Sequence, residues 1–485
     1  MRSISALGLV GILGVAGCAS APATPKAAAP VPERGAEPAP VVAETPPPPA
    51  APVNRPIAPQ GPWVGAAAES EVVLSRGGDA FVGVWVDIPE GTRAKVRAPV
   101  DLALVVDTSG SMEGAKIQAA RASARTIVQR LADGDVISVD TFSDHARTLV
   151  PPVLITPETR ARVLSAISEL GTGGSTNIEE GLALAEMHVA QAPHDHPVRR
   201  IVMISDGQAN VGLSSPQALG ELAQRSLALG AQVTSLGVGL DYDERTLDAI
   251  AERTSGRLFH VGDPREMTAT LEHEIDLLAA TVADQASLEV VPAPGVVLVG
   301  VEGARIESMP NGAVRIPLGT LYAGQHREAL VRMRLTETAS GTQRALASVR
   351  LQFHDPAENE VERVQEVLAR ATTSDDPVAV AAHANAKTHA MMAIALAAKT
   401  EIQAAQDVGS GNFMQAEAQL AAAQKGLLEE AARTKDDEAR KKLTAVAATV
   451  ATQRAHAAAA PKAAPAQMRM DVLEMNAAGM SHAGY

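Results

Sequence analysis

The chain has 485 residues, a formal net charge of −14, 46% hydrophobic residues and 20% charged ones. That length suffices for two or three domains, and the negative balance excludes broad, nonspecific nucleic-acid binding, which needs basic surface to neutralise phosphates. Aromatic residues make up only 2%, so any core must be built from Val, Leu, Ile and Ala.

In chain order, Arg2 precedes an apolar run from Ile4 to Gly17 that is too short to span a bilayer and has the form of a signal-peptide core. It ends in Val15-Ala16-Gly17-Cys18, and Cys18 is the only cysteine. This stretch resembles a bacterial lipoprotein signal. The resemblance implies that residues 1–17 are removed and that Cys18 is acylated as the new N-terminus. It places the protein in the cell envelope, lipid-anchored to a membrane: the outer membrane or a periplasm-facing membrane in a Gram-negative cell. An ordinary secretory signal with an incidental cysteine is the alternative. Acylation of Cys18 would leave no thiol for disulfides or catalysis. Residues 18–62 are rich in Pro and Ala, including Pro46-Pro47-Pro48-Pro49, which predicts an extended, semi-rigid tether.

Residues 63–99 carry strand patterns at Glu71–Leu74 and Ala80–Ile88. From 100 to 281 the pattern changes to alternating strands and amphipathic helices. The strands are expected at Leu102–Val106, Val136–Phe142, Arg200–Ser205, Val233–Val238 and Leu258–Val261. The helices are expected at Ala115–Leu131, Pro157–Glu169, Ile178–Ala190, Pro216–Ala228, Asp243–Arg253 and Pro264–Ala280. Such alternation predicts an α/β, Rossmann-like domain: a mostly parallel sheet with helices on both faces. Asp241 and Glu244 have capping-box spacing at the fifth helix. Short strands return over 282–356, separated by turns such as Pro310-Asn311-Gly312. One β-sandwich interrupted by the α/β domain explains both β segments; two separate β elements are the alternative. Residues 357–456 read as helical from Val361 onward, in an antiparallel bundle. Residues 457–485 lose all pattern and read as a disordered tail, with Met468, Met470, Met475 and Met480 scattered in it.

The chemistry is concentrated in three loops of the α/β domain. Asp107-Thr108-Ser109-Gly110-Ser111 follows the first strand and puts one carboxylate and two hydroxyls on a short turn, an arrangement suited to a hard divalent cation. Gly171-Thr172-Gly173-Gly174-Ser175-Thr176-Asn177 presents the hydroxyl of Thr176 before a helix. Asp206-Gly207 ends the strand Ile201–Ser205. Each piece alone is an ordinary turn or helix cap; their order and their places at strand ends, where ligands of α/β sheets bind, give them joint meaning.

These residues resemble the von Willebrand factor type A domain with its metal-ion-dependent adhesion site, over residues 100–281. The resemblance implies that Ser109 and Ser111 bind the metal directly. Thr176 would bind directly in the ligand-occupied form and through water otherwise, and Asp107 and Asp206 would act largely through water. The implied metal is Mg2+, with Mn2+ or Ca2+ as alternatives. One coordination position would stay open for an Asp or Glu carboxylate of a protein partner. Three neutral hydroxyls dilute the negative charge, which keeps the cation electrophilic toward that carboxylate.

An enzyme finds no support: there is no G-x-S-x-G, Walker A or G-x-G-x-x-G sequence. His273-Glu274 begins like a zinc-protease helix but has Leu277 where the second His must stand. His188, His194 and His196 are crowded enough for Zn2+, yet read better as a helix end and an exposed loop beside Pro193 and Pro197. The expected function is therefore protein binding by an envelope-anchored protein, with no nucleic-acid partner. A scaffold acting through the helical region is the alternative, and a metal-dependent hydrolase is a weaker one.

Overall fold

The computed structural model describes residues 63–92, 97–206, 208–240, 242–358 and 360–483. The leader, Cys18 and the tether lie outside these residues, as do Gly207 and Asp241.

Three strands open the described chain: β1 (Val64–Ala68), β2 (Val72–Leu74) and β3 (Gly78–Asp87). In β3 the alternate residues Val82, Val84 and Val86 are buried, as a half-exposed sheet requires. The α/β domain follows: β4 (Val100–Asp107), α1 (Ala115–Arg130), β5 (Val136–Phe142), β6 (Ala146–Leu154), α2 (Pro157–Ile167) and α3 (Ile178–Val189). It continues with β7 (Val198–Ser205), α4 (Pro216–Ala228), β8 (Ala231–Val238), α5 (Glu244–Arg253), β9 (Arg257–Val261) and α6 (Met267–Ala279). Its sheet order is β6-β5-β4-β7-β8-β9, parallel throughout except for β6. The first strand, β4, is central and every residue of it is buried. Leu102, Leu104 and Val106 pack toward α1, α2 and α6, whereas Ala103 and Val105 pack toward α3, α4 and α5.

One strand is absent from the expected set. β6 gives no strand pattern because Pro151 and Pro152 interrupt it; prolines are tolerated at a sheet edge, where β6 lies. Asp241 of the expected Asp241/Glu244 capping box lies outside the described residues. The N-cap of α5 is Asp243 and Glu244 is its first helical residue rather than its third, and the Glu244 carboxylate accepts from Asn476 Nδ2 (2.6 Å).

After α6 come β10 (Thr281–Pro292), β11 (Val296–Glu302), β12 (Glu307–Ser308), β13 (Val314–Tyr322), β14 (His326–Leu335), β15 (Gln343–Asp355) and β16 (Val361–Ser374). They join the opening strands in two sheets, β1-β3-β14-β11 and β12-β13-β10-β15-β16-β2. Each sheet combines strands from before and after the α/β domain. Val82, Val84, Val86, Val331 and Met333 of one sheet share a core with Leu288, Val290, Val349, Leu351 and Phe353 of the other. The α/β domain is thus inserted into one β-sandwich.

Residues 361–374, expected to be helical, are β16. Glu, Arg, Gln, Leu and Ala favour helix locally, but pairing with β15 along most of its length overrides that preference, and Ala369, Ala371 and Thr373 alternate inward.

The helices that follow are α7 (Pro377–Ala382), α8 (Ala386–Gly409), α9 (Phe413–Arg433), α10 (Asp437–Ala459) and α11 (Pro465–Ala483). Leu420, Leu443, Val450 and Met475 are among the residues of their shared core. The expected disordered tail is corrected by α11. Leu473 enters the core of the α/β domain with Leu247 and Ile250, and Gly479 sits so close to α8 that a Cβ there would lie 2.8 Å from Ile402. The scattered methionines are packing residues: Met475 is buried, and Met470 Sδ lies 3.3 Å from His260 Nε2. Among the described residues no helix is long and apolar enough to cross a membrane.

Candidate metal-binding site

The sheet order places β5 and β7 on opposite sides of β4, so the C-terminal end of β4 is the point where the winding reverses and a crevice opens. Asp107 ends β4 there and is fully buried. Its Oδ1 accepts from the Ser109 N–H (2.8 Å) and its Oδ2 from Ser205 Oγ (2.6 Å). Burial raises the Asp107 carboxyl above its ordinary value; the bonds from Ser205 and Ser109 oppose the rise, and the charge of Asp206 adds to it.

From Asp107 the oxygens run on without a gap. Ser109 Oγ and Ser111 Oγ are 3.0 Å apart, and Ser111 Oγ donates to Asp206 Oδ1 at 2.7 Å. The other oxygen of Asp206 pairs with the Lys116 ammonium from the first turn of α1.

Thr176 is held through its backbone by the loop that follows β7. Its N–H donates to Asn210 Oδ1 (2.8 Å), and its carbonyl accepts from the Asn210 and Val211 N–H groups (3.0 and 3.3 Å). The Gly-rich loop is joined to the turn after β4 by two bonds, Gly173 N–H to Thr108 O (2.8 Å) and Gly110 N–H to Gly174 O (3.1 Å). Gly174 has a φ of +86°, a left-handed conformation that favours glycine. Asp144 Oδ1 in turn holds the Ser175 N–H at 2.9 Å, and these bonds to Ser175 lower its carboxyl below the ordinary value. Asn177 caps α3 by accepting from the Glu180 N–H.

Asp107, Ser109, Ser111 and Asp206 therefore form one connected oxygen cluster, and Thr176 stands on a loop fastened to the turns on both sides of it. The donors are hydroxyls and carboxylates, which suit a hard divalent cation. A cationic group, Lys116, is already drawn to the Asp206 carboxylate. Lys116, Ser205, Asn210 and Asp144 carry no recognisable pattern in sequence, because each acts on a partner at least 30 residues away.

The three histidines do not form a site together. His188 is buried and contacts Asp140 Oδ2 (3.0 Å). His196, expected in an exposed loop, is buried and bridges Asp195 Oδ1 (2.9 Å) and the Gly134 carbonyl (2.8 Å). Glu274, beside His273, is fully buried and accepts from Thr234 Oγ1 (2.8 Å) and Arg257 Nη2 (2.6 Å), fastening α6 to β8 and β9.

Residues 101–273 match the family described as von Willebrand factor type A domain. An uncharacterized protein of Synechocystis, sll0103, is 27% identical over 56% of this chain and 66% of its own length. YfbK of Escherichia coli, also uncharacterized, is 27% identical over 52% of this chain and 44% of its own length. The chain thus spans two thirds or less of these relatives. A solved structure, a von Willebrand factor type A protein from Catenulispora acidiphila, shares the fold at 17% identity with a TM-score of 0.68, covering 86% of this chain and 96% of that one. Residues 101–273 of this chain are a von Willebrand factor type A domain, carried as an insertion in a β-sandwich.

Proposed function

We propose that this is a membrane-anchored protein of the cell envelope that binds a protein partner through a Mg2+-dependent adhesion site. Ser109, Ser111 and Thr176 hold the cation, with Asp107 and Asp206 balancing its charge, and a partner Asp or Glu carboxylate completes the coordination. One observation carries this reading: two carboxylates and two hydroxyls from separate strand ends meet in one unbroken chain of contacts, beside the loop of Thr176. The bound cation would supply a Lewis-acidic centre for an outside carboxylate. The protein supplies the cradle, since the Ser109 N–H and Ser205 Oγ hold Asp107 at both oxygens. Cys18 and the Pro/Ala-rich stretch 18–62 support anchoring by acyl chains at the end of a long tether.

The test compares the full chain with Asp107→Ala, by calorimetric titration with Mg2+ and by capture of envelope proteins in Mg2+ or EDTA. Asp107→Ala is expected to weaken Mg2+ binding about 10–100-fold and to abolish capture, as EDTA does. Capture that survives both would instead assign partner binding to the helices α8–α11.

A further inference from the structure

The strand β10 begins directly after α6, and its ladder with β15 is broken at once. Asp284 pairs with His354, but the next pair is Ser287 with Gln352, so β10 carries one extra residue. Within the bulge Gln285 has a φ of +47°, and Glu360, in the turn between β15 and β16, has a φ of +58°. Both are left-handed conformations that non-glycine residues seldom adopt.

These distortions bring three side chains to one point. One ligand atom from each of Asp284, His354 and Glu360 lies within 4.8 Å of the others. Asp284 is 2% exposed. Among the described residues neither of its carboxylate oxygens has a hydrogen-bond partner, and the same holds for His354 Nδ1 and Glu360 Oε1. His354 Nδ1 and Glu360 Oε2 stand 3.6 Å apart, beyond hydrogen-bond reach. Buried polar atoms are almost always paired, so unpaired atoms on three convergent side chains, with Gln285 the other polar side chain acting on Asp284, leave bonding capacity for a ligand. Burial and the neighbouring Glu360 raise the Asp284 carboxyl to about 8, as burial of crowded carboxyls does. The other group of convergent ligand atoms, His456, Asp471 and Glu474, differs in this respect, because Asp471 already accepts from Gln467 at 2.8 Å.

We propose that Asp284, His354 and Glu360 form a second cation site, for Zn2+, which clamps the bulge of β10 to the turn between β15 and β16. One imidazole nitrogen and two carboxylates make a three-ligand set of the kind that Zn2+ accepts, with room for water in the remaining position. Mg2+, which prefers six oxygens in octahedral geometry, suits a set containing the His354 imidazole less well. Access is available from the α/β side, where Glu360 and Gln285 border a cavity of about 210 Å3 shared with His194, Arg199 and Gly230. Arg199, from the start of β7, donates to the His196 and Leu229 carbonyls rather than to Glu360. The site is independent of the adhesion-site reading and lies in the sandwich rather than at the end of β4.

The experiment uses the full chain carrying Asp107→Ala, which silences the first site, in Mg2+-containing buffer. Zn2+ is titrated by calorimetry, and the melting temperature is read with and without it. The expected result is one Zn2+ per chain and a higher melting temperature. Adding Asp284→Asn or His354→Gln should weaken Zn2+ binding by about 100-fold and remove the thermal shift. Asp284→Asn replaces a buried carboxyl that burial keeps protonated by an amide of nearly the same shape and is expected to fold, and His354→Gln gives a second, independent loss of a ligand. No Zn2+ binding, or binding unaffected by both changes, would overturn the proposal. So would a higher melting temperature for Asp284→Asn with no response to Zn2+ in the parent, which would identify a pair of carboxyls sharing a proton.

Discussion

Asp206 meets two claims at once, from Ser111 at one oxygen and from the Lys116 ammonium at the other. The lysine is only partly buried, with 25% of its side chain exposed, so its attraction is modest and it can swing away. A divalent cation and Lys116 compete for the same carboxylate. Lys116→Met is therefore expected to tighten Mg2+ binding by about 5-fold, a difference of about 1 kcal/mol, measured by calorimetric titration; weaker or unchanged binding would contradict the competition. Lys116 also marks the limit of what the residues alone disclose. Asp107, Ser109, Ser111, Thr176 and Asp206 stand out because carboxylates and hydroxyls recur at strand ends in a fixed order. Lys116 looks like any exposed lysine in a first helical turn, and only the fold brings it across 90 residues to Asp206. Asn210, which fixes Thr176 through its amide oxygen, is hidden for the same reason.

At the level of elements, most of the alternating strands and helices between β4 and α6 are readable because the central strands β4 and β7 carry apolar runs, Leu102–Val106 and Ile201–Ile204, as buried parallel sheets demand. Besides the edge strand β6, two elements are not readable. β16 has the composition of a helix and is a strand because β15 offers it a ladder. α11 lacks a continuous apolar stripe, because it divides its buried residues between two neighbours: Leu473 faces the α/β core and Met475 the helical core. A helix of this kind owes its stability to those contacts rather than to local preference. Leu473→Ala is expected to destabilise the fold by about 2–4 kcal/mol and to open α11 to limited proteolysis, read from denaturation midpoints and from the mass of the first cleavage product. Protection equal to that of the parent chain would refute the anchoring role of Leu473.

The parts of the molecule meet around a cavity of about 270 Å3. Tyr242 and Asp248 of the α/β domain, Arg305 and Arg327 of the sandwich, and Asn476 and Met480 of α11 border it. Burial, with the like charges of Glu252 and Glu244, raises the Asp248 carboxyl from 3.8 to about 7. The folded chain thus keeps a proton that the unfolded chain releases. The stability that this proton confers is complete below about pH 4 and is lost as pH rises toward about 7. Asp248→Asn should remove this slope and stabilise the protein at pH 8 by on the order of 1–3 kcal/mol relative to the parent, as read from melting temperatures between pH 4 and 8. A parallel pH profile for the two proteins would rule it out.

The insertion has a further consequence, for the order of events in time. β3 pairs with β14, so Val86 must find Arg327, and β2 pairs with β16, so Val72 must find Thr372. Early in synthesis the opening strands have no partners beyond each other, and closing so long a stretch of loose chain is entropically costly. The α/β domain can form first from neighbouring strands and helices. Once folded, it brings the end of β3 and the start of β10 to two fixed places on one compact body and replaces the loose stretch by a short span. The domain that carries the adhesion residues is then also the template on which the sandwich assembles. Damage to its core, for example at Leu104 or Ile204, would be seen first as strands that never close, with exposed edges prone to aggregate.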